Sequence, residues 1–181
     1  MKLITLTLLF ISVFLVMSPA HAGLFSCDSA EVKVEPLGMG AQKVLADQKA
    51  QVDSLARMKL GRPVRGDFSD LKLLQRLVDG EYIAPENTKE LQSLGVVFGD
   101  VFVKELNLEW KLYRDELGCS KATCISNTDV CLFPMTMISR RAEVGAPVDI
   151  KAIYIKALGM IAEYLPETPY SSENTTLGSY D

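Results

Sequence analysis

The chain has 181 residues, with 19 basic and 23 acidic side chains, a net charge of −4, four cysteines, one tryptophan and one histidine. This length suits one domain with a real core. The mildly acidic balance lacks the basic stripe a nucleic-acid partner would need.

Met1–Ala22 reads as a secretory signal peptide. Lys2 precedes an apolar run from Leu3 to Met17, Ser18 and Pro19 break that run, and Ala20-His21-Ala22 has the small-x-small form of a cleavage site. The run is shorter than the ~20 residues that span a bilayer comfortably. Cleavage after Ala22 places the protein in the periplasm or outside the cell, with no stable membrane span. Lipidation at Cys27, behind Leu24-Phe25-Ser26, is the alternative anchor. Cleavage also removes Lys2 and His21. A mature chain without histidine has no Ser-His-Asp or Cys-His site and no His-ligated zinc, so neither a cofactor nor a metal is expected.

Gly23–Gly40 reads as an N-terminal tail punctuated by Pro36, Gly38 and Gly40. A single domain then spans residues 41–165. From Ala41 to Leu60, Val44, Leu45, Val52, Leu55 and Met58 form a helical stripe among charged residues. A second helix begins near Ser69, read as its cap, and ends at Gly80, read as a left-handed closing residue. Asn87 caps a third helix, with Glu90 three residues on. Its apolar positions, from Leu91 to Leu106, cover more than one face and predict a central helix. Gly95 and Gly99 lie one turn apart on it, which predicts close approach by another element or a ligand groove.

At Leu108 the period changes to two. Leu108, Trp110 and Leu112 alternate with Glu109 and Lys111, as in a half-buried strand. Val130–Phe133 reads as its short partner across a long loop, stopped by Pro134. A short helix over Met135–Arg141 comes next, then a helix from the cap Asp149 to Leu165. Residues 166–181 are polar and read as a disordered tail. The whole is an α+β chain: helices in the N-terminal part, an antiparallel hairpin, and a C-terminal helix.

Cys27, Cys119, Cys124 and Cys131 are an even set in an oxidising compartment, which favours disulfides. Closure of the short Cys119–Cys124 loop is preferred, leaving Cys131 for Cys27. A Cys124–Cys131 bridge with Cys27 free is the rival. No Cys-x-x-Cys is present to suggest a redox site.

Leu91-Gln92-Ser93-Leu94-Gly95, Gly99-Asp100, Leu108-Glu109-Trp110, Asp115-Glu116-Leu117-Gly118, Phe133-Pro134 and Ile138-Ser139-Arg140, in that order, resemble the DUF3806 domain, an uncharacterised bacterial family. The resemblance covers about residues 71–154. It implies an α+β domain from a bacterium and carries over no catalytic residues. The cysteine cluster between Gly118 and Phe133 is not part of that pattern.

The candidate site residues come from the hairpin and the short helix after it. Trp110 is a core residue or a binding surface. Arg140 and Arg141 pair with Glu109 or Asp115, or hold an anion. Glu109 and Asp115 are the candidate catalytic carboxylates. Two functions are consistent with these residues. One is a non-enzymatic binding protein with an envelope protein as partner. The other is a carboxylate hydrolase using Asp115 or Glu109 with Arg140. The sequence leaves the oligomeric state open.

Overall fold

The computed structural model describes residues 31–165. The leader, Cys27 and the polar tail from 166 lie outside the described residues. The elements run β1 (Lys33–Pro36), α1 (Met39–Leu60), α2 (Ser69–Asp79), α3 (Thr88–Leu106), β2 (Glu109–Asp115), β3 (Gly118–Cys124), β4 (Cys131–Leu132), α4 (Pro134–Glu143) and α5 (Ile150–Ile161), closing with a 3-10 turn at Ala162–Tyr164. The four strands form one antiparallel sheet in the order β1-β2-β3-β4, so the chain is α+β.

α3 is the axis of the fold. Asn87 accepts a hydrogen bond from the Glu90 amide and starts it, as expected. Phe98 and Phe102 are fully buried, and Tyr154 from α5 stacks on Phe102 at 5.1 Å. Burying each of these rings stabilises the fold by roughly 2–3 kcal/mol. α3 packs against α1, α2 and α4. Its two glycines explain the approach of α4. A Cβ on Gly95 would lie 2.5 Å from the Met135 backbone, and one on Gly99 would overlap the Trp110 ring. The close-approach reading of these glycines holds; the elements that approach are the start of α4 and the indole.

α1 buries only Leu45, Val52 and Ala56, a narrow stripe that leaves most of the helix solvated. Gly61 closes it in the left-handed region at φ 65°, with its amide on the Arg57 carbonyl. At α2 two cap assignments change. Ser69 lies inside the helix, and its amide and hydroxyl both donate to Asp67 Oδ1, so Asp67 supplies the capping oxygen. Gly80 has φ −80°, and the positive φ falls on Glu81. A Cβ on Gly80 would meet the ring of Tyr82, an exposed side chain that would have to turn aside.

The sheet holds more strands than periodicity reveals. β1 lies in the segment read as a tail and pairs with β2, Val34 opposite Tyr113. β3 lies in the segment read as a long loop. It joins β2 through a two-residue turn at Glu116-Leu117, since Asp115 pairs with Gly118. α5 ends at Ile161, short of Leu165, and its cap is Asp149, which accepts the Ala152 amide.

The same register corrects the preferred disulfide. Cys119 and Cys124 lie on one strand, five positions apart, so they point to opposite faces and sit about 16 Å from each other. They cannot be bridged. Cys124 faces Cys131 across β3 and β4, and these two are bonded. Cys119 is also disulfide-bonded. The Cys124–Cys131 link closes a loop of sequence separation 7. On chain-entropy grounds it contributes about 2 kcal/mol. The double variant Cys124→Ala/Cys131→Ala is therefore expected to unfold at lower urea, with a slope no shallower than that of wild type because its unfolded chain is less constrained.

Candidate functional site

β1 and β2 place one end of the sheet against α1 and α3, and a cleft of about 490 Å³ opens where they meet. Leu37, Leu45, Val96 and Trp110 supply its apolar wall, Lys49 and Asp100 supply charge, and the β2 neighbours Glu109 and Lys111 border it. Leu37, Leu45 and Val96 form a small core cluster of their own, with Trp110 packed against it. The cleft thus grows out of a second, minor core between sheet and helices.

Asp100 organises the site. It sits next to Gly99 in a stretch of α3 that is otherwise buried from Leu94 to Phe102. A carboxylate there requires partners, and it has two. Trp110 Nε1 donates to Oδ1 at 2.9 Å, and Lys49 Nζ donates to Oδ2 at 2.5 Å. The Asp100 side chain is 18% exposed and that of Lys49 43% exposed, so this pair is screened less than a surface bridge. Gly99 is what lets the indole lie flat enough against α3 to reach Asp100.

The segment between α1 and α2 passes beside this pair. A Cβ on Gly66 would meet Asp100 Cβ at 3.6 Å and Lys49 Nζ at 3.9 Å. Carboxylates hold this segment by its amides. Asp53 accepts from Val64 at 2.8 Å, Asp70 from Arg65 at 2.9 Å and Gly66 at 2.5 Å, and Glu105 from Phe68 at 3.1 Å. Lys104 adds a contact to Asp67 at 3.1 Å.

Asp53 and Asp67 titrate in the opposite sense to Asp70. Arg57 and the Val64 amide hold Asp53 below its ordinary value of 3.8, and Ser69 and Lys104 do the same for Asp67. Burial raises Asp70 above 3.8, against the pull of the Gly66 and Arg65 amides. The Asp53 and Asp67 contributions are complete above 3.8 and are lost as pH falls through their lowered folded values. The folded protein keeps the Asp70 proton where the unfolded chain has released it. Its contribution is therefore greatest below 3.8 and declines as pH rises to the raised folded value. Asp70→Asn removes that dependence. The melting-temperature advantage of wild type over Asp70→Asn is expected to widen from pH 7 to pH 4; a constant difference across that range would contradict the assignment.

The structure separates most of the sequence-predicted site residues. Trp110 and Glu109 line the cleft. Asp115 lies at the far end of β2, about 20 Å from Glu109, and accepts the Leu117 amide at the hairpin turn. Glu109 pairs with Lys111 and accepts from Ser126 Oγ at 2.7 Å; the Lys111 contact first, then Ser126, lowers its carboxyl below 4.5. Among the described ion pairs, neither Arg140 nor Arg141 joins Glu109 or Asp115. Arg140 is exposed on α4, and Arg141 donates to the Met137 carbonyl of its own helix. The expected pairing fails because α4 lies against α3. Lys49 and Asp100 do not stand out in the sequence as site residues. Among the described residues no group of His, Cys, Asp and Glu is arranged to hold a metal, and no helix is long and apolar enough to cross a membrane.

Residues 70–154 match the family model described as a domain of unknown function, DUF3806. No curated protein matches the chain. It is similar to a crystal structure from Bacteroides thetaiotaomicron, with a TM-score of 0.64 and 20% identity over 70% of this chain. The match covers 47% of that protein, so this chain spans about half its length, and the likeness shows the fold alone. The family match takes in Asp100 and Trp110 but not β1 or α1, so it leaves out the half of the cleft that carries Leu37 and Lys49.

Proposed function

We propose, for a chain that carries a DUF3806 domain over residues 70–154, that it is an exported, non-enzymatic binding protein whose ligand occupies the cleft between α1, α3 and β2. The observation that carries this reading is Asp100, fixed by Lys49 and Trp110 on the wall of a cleft with apolar sides. A pocket with apolar walls and a few oriented polar groups suits a small ligand. The leader-like Met1–Ala22 and the Cys124–Cys131 bridge support work in the periplasm or outside the cell. The hydrolase reading has no such support, since Glu109, Asp115 and Arg140 do not converge.

Trp110 is the chain's only tryptophan, so its emission reports on the cleft. Fractions of envelope extract are expected to shift that emission saturably and to raise the melting temperature. Ala46 is exposed and lines the cleft. Ala46→Phe fills it without touching the core and is expected to abolish both responses. Equal responses from wild type and Ala46→Phe would remove the cleft from the binding site.

A further inference from the structure

We infer that the Cys27 sulfur is bonded to Cys119, and that this bond, which ties the chain ahead of β1 to β3, takes the place of a lipid anchor on Cys27. This shares with the proposed function only the export of the chain and is independent of what the cleft holds.

The chain has four cysteines. Cys124 and Cys131 are bonded to each other, and the Cys119 sulfur is in a disulfide. Cys27 is the cysteine of the chain left to be its partner. The sheet brings the two within reach. Lys33, Arg114 and Cys119 face one another in a single row across β1, β2 and β3. β1 and β3 both run antiparallel to β2, so they start at the same end of the sheet, and Cys119 is second in β3. Two strand spacings put Lys33 about 10 Å from Cys119. Cys27 lies six residues before Lys33, and a segment of that length reaches ~20 Å when extended. A tether this short holds Cys27 at an effective concentration of about millimolar, which favours closure within the chain over a bond to a second copy.

Arg114 prepares Cys119 for the reaction. Its Nη1 lies 3.2 Å from Cys119 Sγ, and its Nε donates to Glu35 Oε2 of β1 at 3.0 Å. A guanidinium beside a thiol favours the thiolate, the nucleophile of disulfide exchange. The Cys119 thiolate attacks a protein disulfide of the oxidising compartment and displaces one of its sulfurs. The Cys27 thiolate then attacks the mixed disulfide at Cys119 and displaces the other. Two thiols of this chain are oxidised, the donor disulfide is reduced to a dithiol, and the two thiol protons end on that dithiol. Lipidation would bond the same Cys27 sulfur to carbon, and one sulfur does not carry both.

Peptide mapping of the protein from its own cell, alkylated before any reduction, tests this. Trypsin cuts after Lys33, Arg114, Lys121 and Arg140, which leaves Cys27, Cys119 and the Cys124–Cys131 pair on three separate peptides. The peptide ending at Lys33 is expected to be joined to Asp115–Lys121 and to separate from it on reduction. Cys119→Ala, whose fold circular dichroism checks, is expected to expose one alkylatable thiol per chain, on Cys27, where wild type exposes none. A Cys27 peptide carrying a lipid, a Cys119 peptide joined to its own copy, or a Cys119→Ala protein without a thiol overturns the bridge. Alkylation of both Cys27 and Cys119 with the leader removed overturns the bridge alone. The same alkylation with Met1–Ala22 retained overturns export as well.

Discussion

Gly95→Ala is expected to cost about 3 kcal/mol and to lower the melting temperature by roughly 10 °C, although alanine is the better helix former. The new Cβ would lie 2.5 Å from Met135 Cα and 2.6 Å from the Pro134 carbonyl oxygen. Both atoms belong to backbone at the start of α4, so no rotamer change relieves the clash. α4 would have to move away from α3, and Pro134, fixed in φ, resists local adjustment. Gly159 is the internal control. It is exposed in α5, and a Cβ added there would meet nothing within 4 Å, so Gly159→Ala is expected to stabilise by up to about 1 kcal/mol. Thermal melts of the two variants should move in opposite directions. A Gly95→Ala protein as stable as wild type would mean that α4 does not sit on α3 as described.

Asp100→Ala is expected to cost about 2 kcal/mol and to change the environment of the single tryptophan. The substitution leaves the Trp110 N–H and the Lys49 ammonium without their shared acceptor in a partly shielded place. Water enters to solvate them, so Trp110 emission should move to longer wavelength while far-ultraviolet circular dichroism stays native. Asp100→Asn separates the two partners. Its side-chain oxygen still accepts from the indole, but the charge facing Lys49 is gone. Its emission should stay closer to wild type than that of Asp100→Ala, and its stability should fall between the two. Wild-type emission from Asp100→Ala would show that the indole does not depend on the carboxylate.

The helices are legible in the sequence because their signals are local. Asn87 with Glu90, Asp149 with Ala152 and the apolar period of α3 lie within one or two turns of each other, and packing has only to agree with them. β1 and β3 are not legible in this way. Lys33-Val34-Glu35-Pro36 is short, charged and ends in proline, and Gly118–Cys124 is built of small and polar residues without a bulky alternation. What makes both of them strands is the pairing with β2, a tertiary cause that propensity does not carry. The preferred disulfide fails for the same reason, since a strand rather than a loop holds Cys119 and Cys124 apart. The site is half visible. Trp110 and Glu109 stand out in the alternating strand, whereas Lys49 is one of several lysines on a solvated helix, and its bond to Asp100 spans 51 residues. The signal that could have found the pair is Asp100 itself, a carboxylate inside a helix apolar on two sides, which requires a cation or a donor from elsewhere in the chain.

The pairing of β1 with β2 bears on the order of assembly. Glu35 and Arg114, joined across these strands, are 79 residues apart. The first-synthesised strand must wait for a partner made after all three early helices, and its docking carries a large closure entropy that local helical contacts do not. β1 should therefore join late, after the rate-limiting barrier, so substitutions at Val34 or Leu37 should quicken unfolding and leave the folding rate nearly untouched. Because Pro36 and Leu37 border the cleft, that pocket would be finished by the last piece to arrive, and a chain halted just short of maturity would have its helices but nowhere to hold a guest.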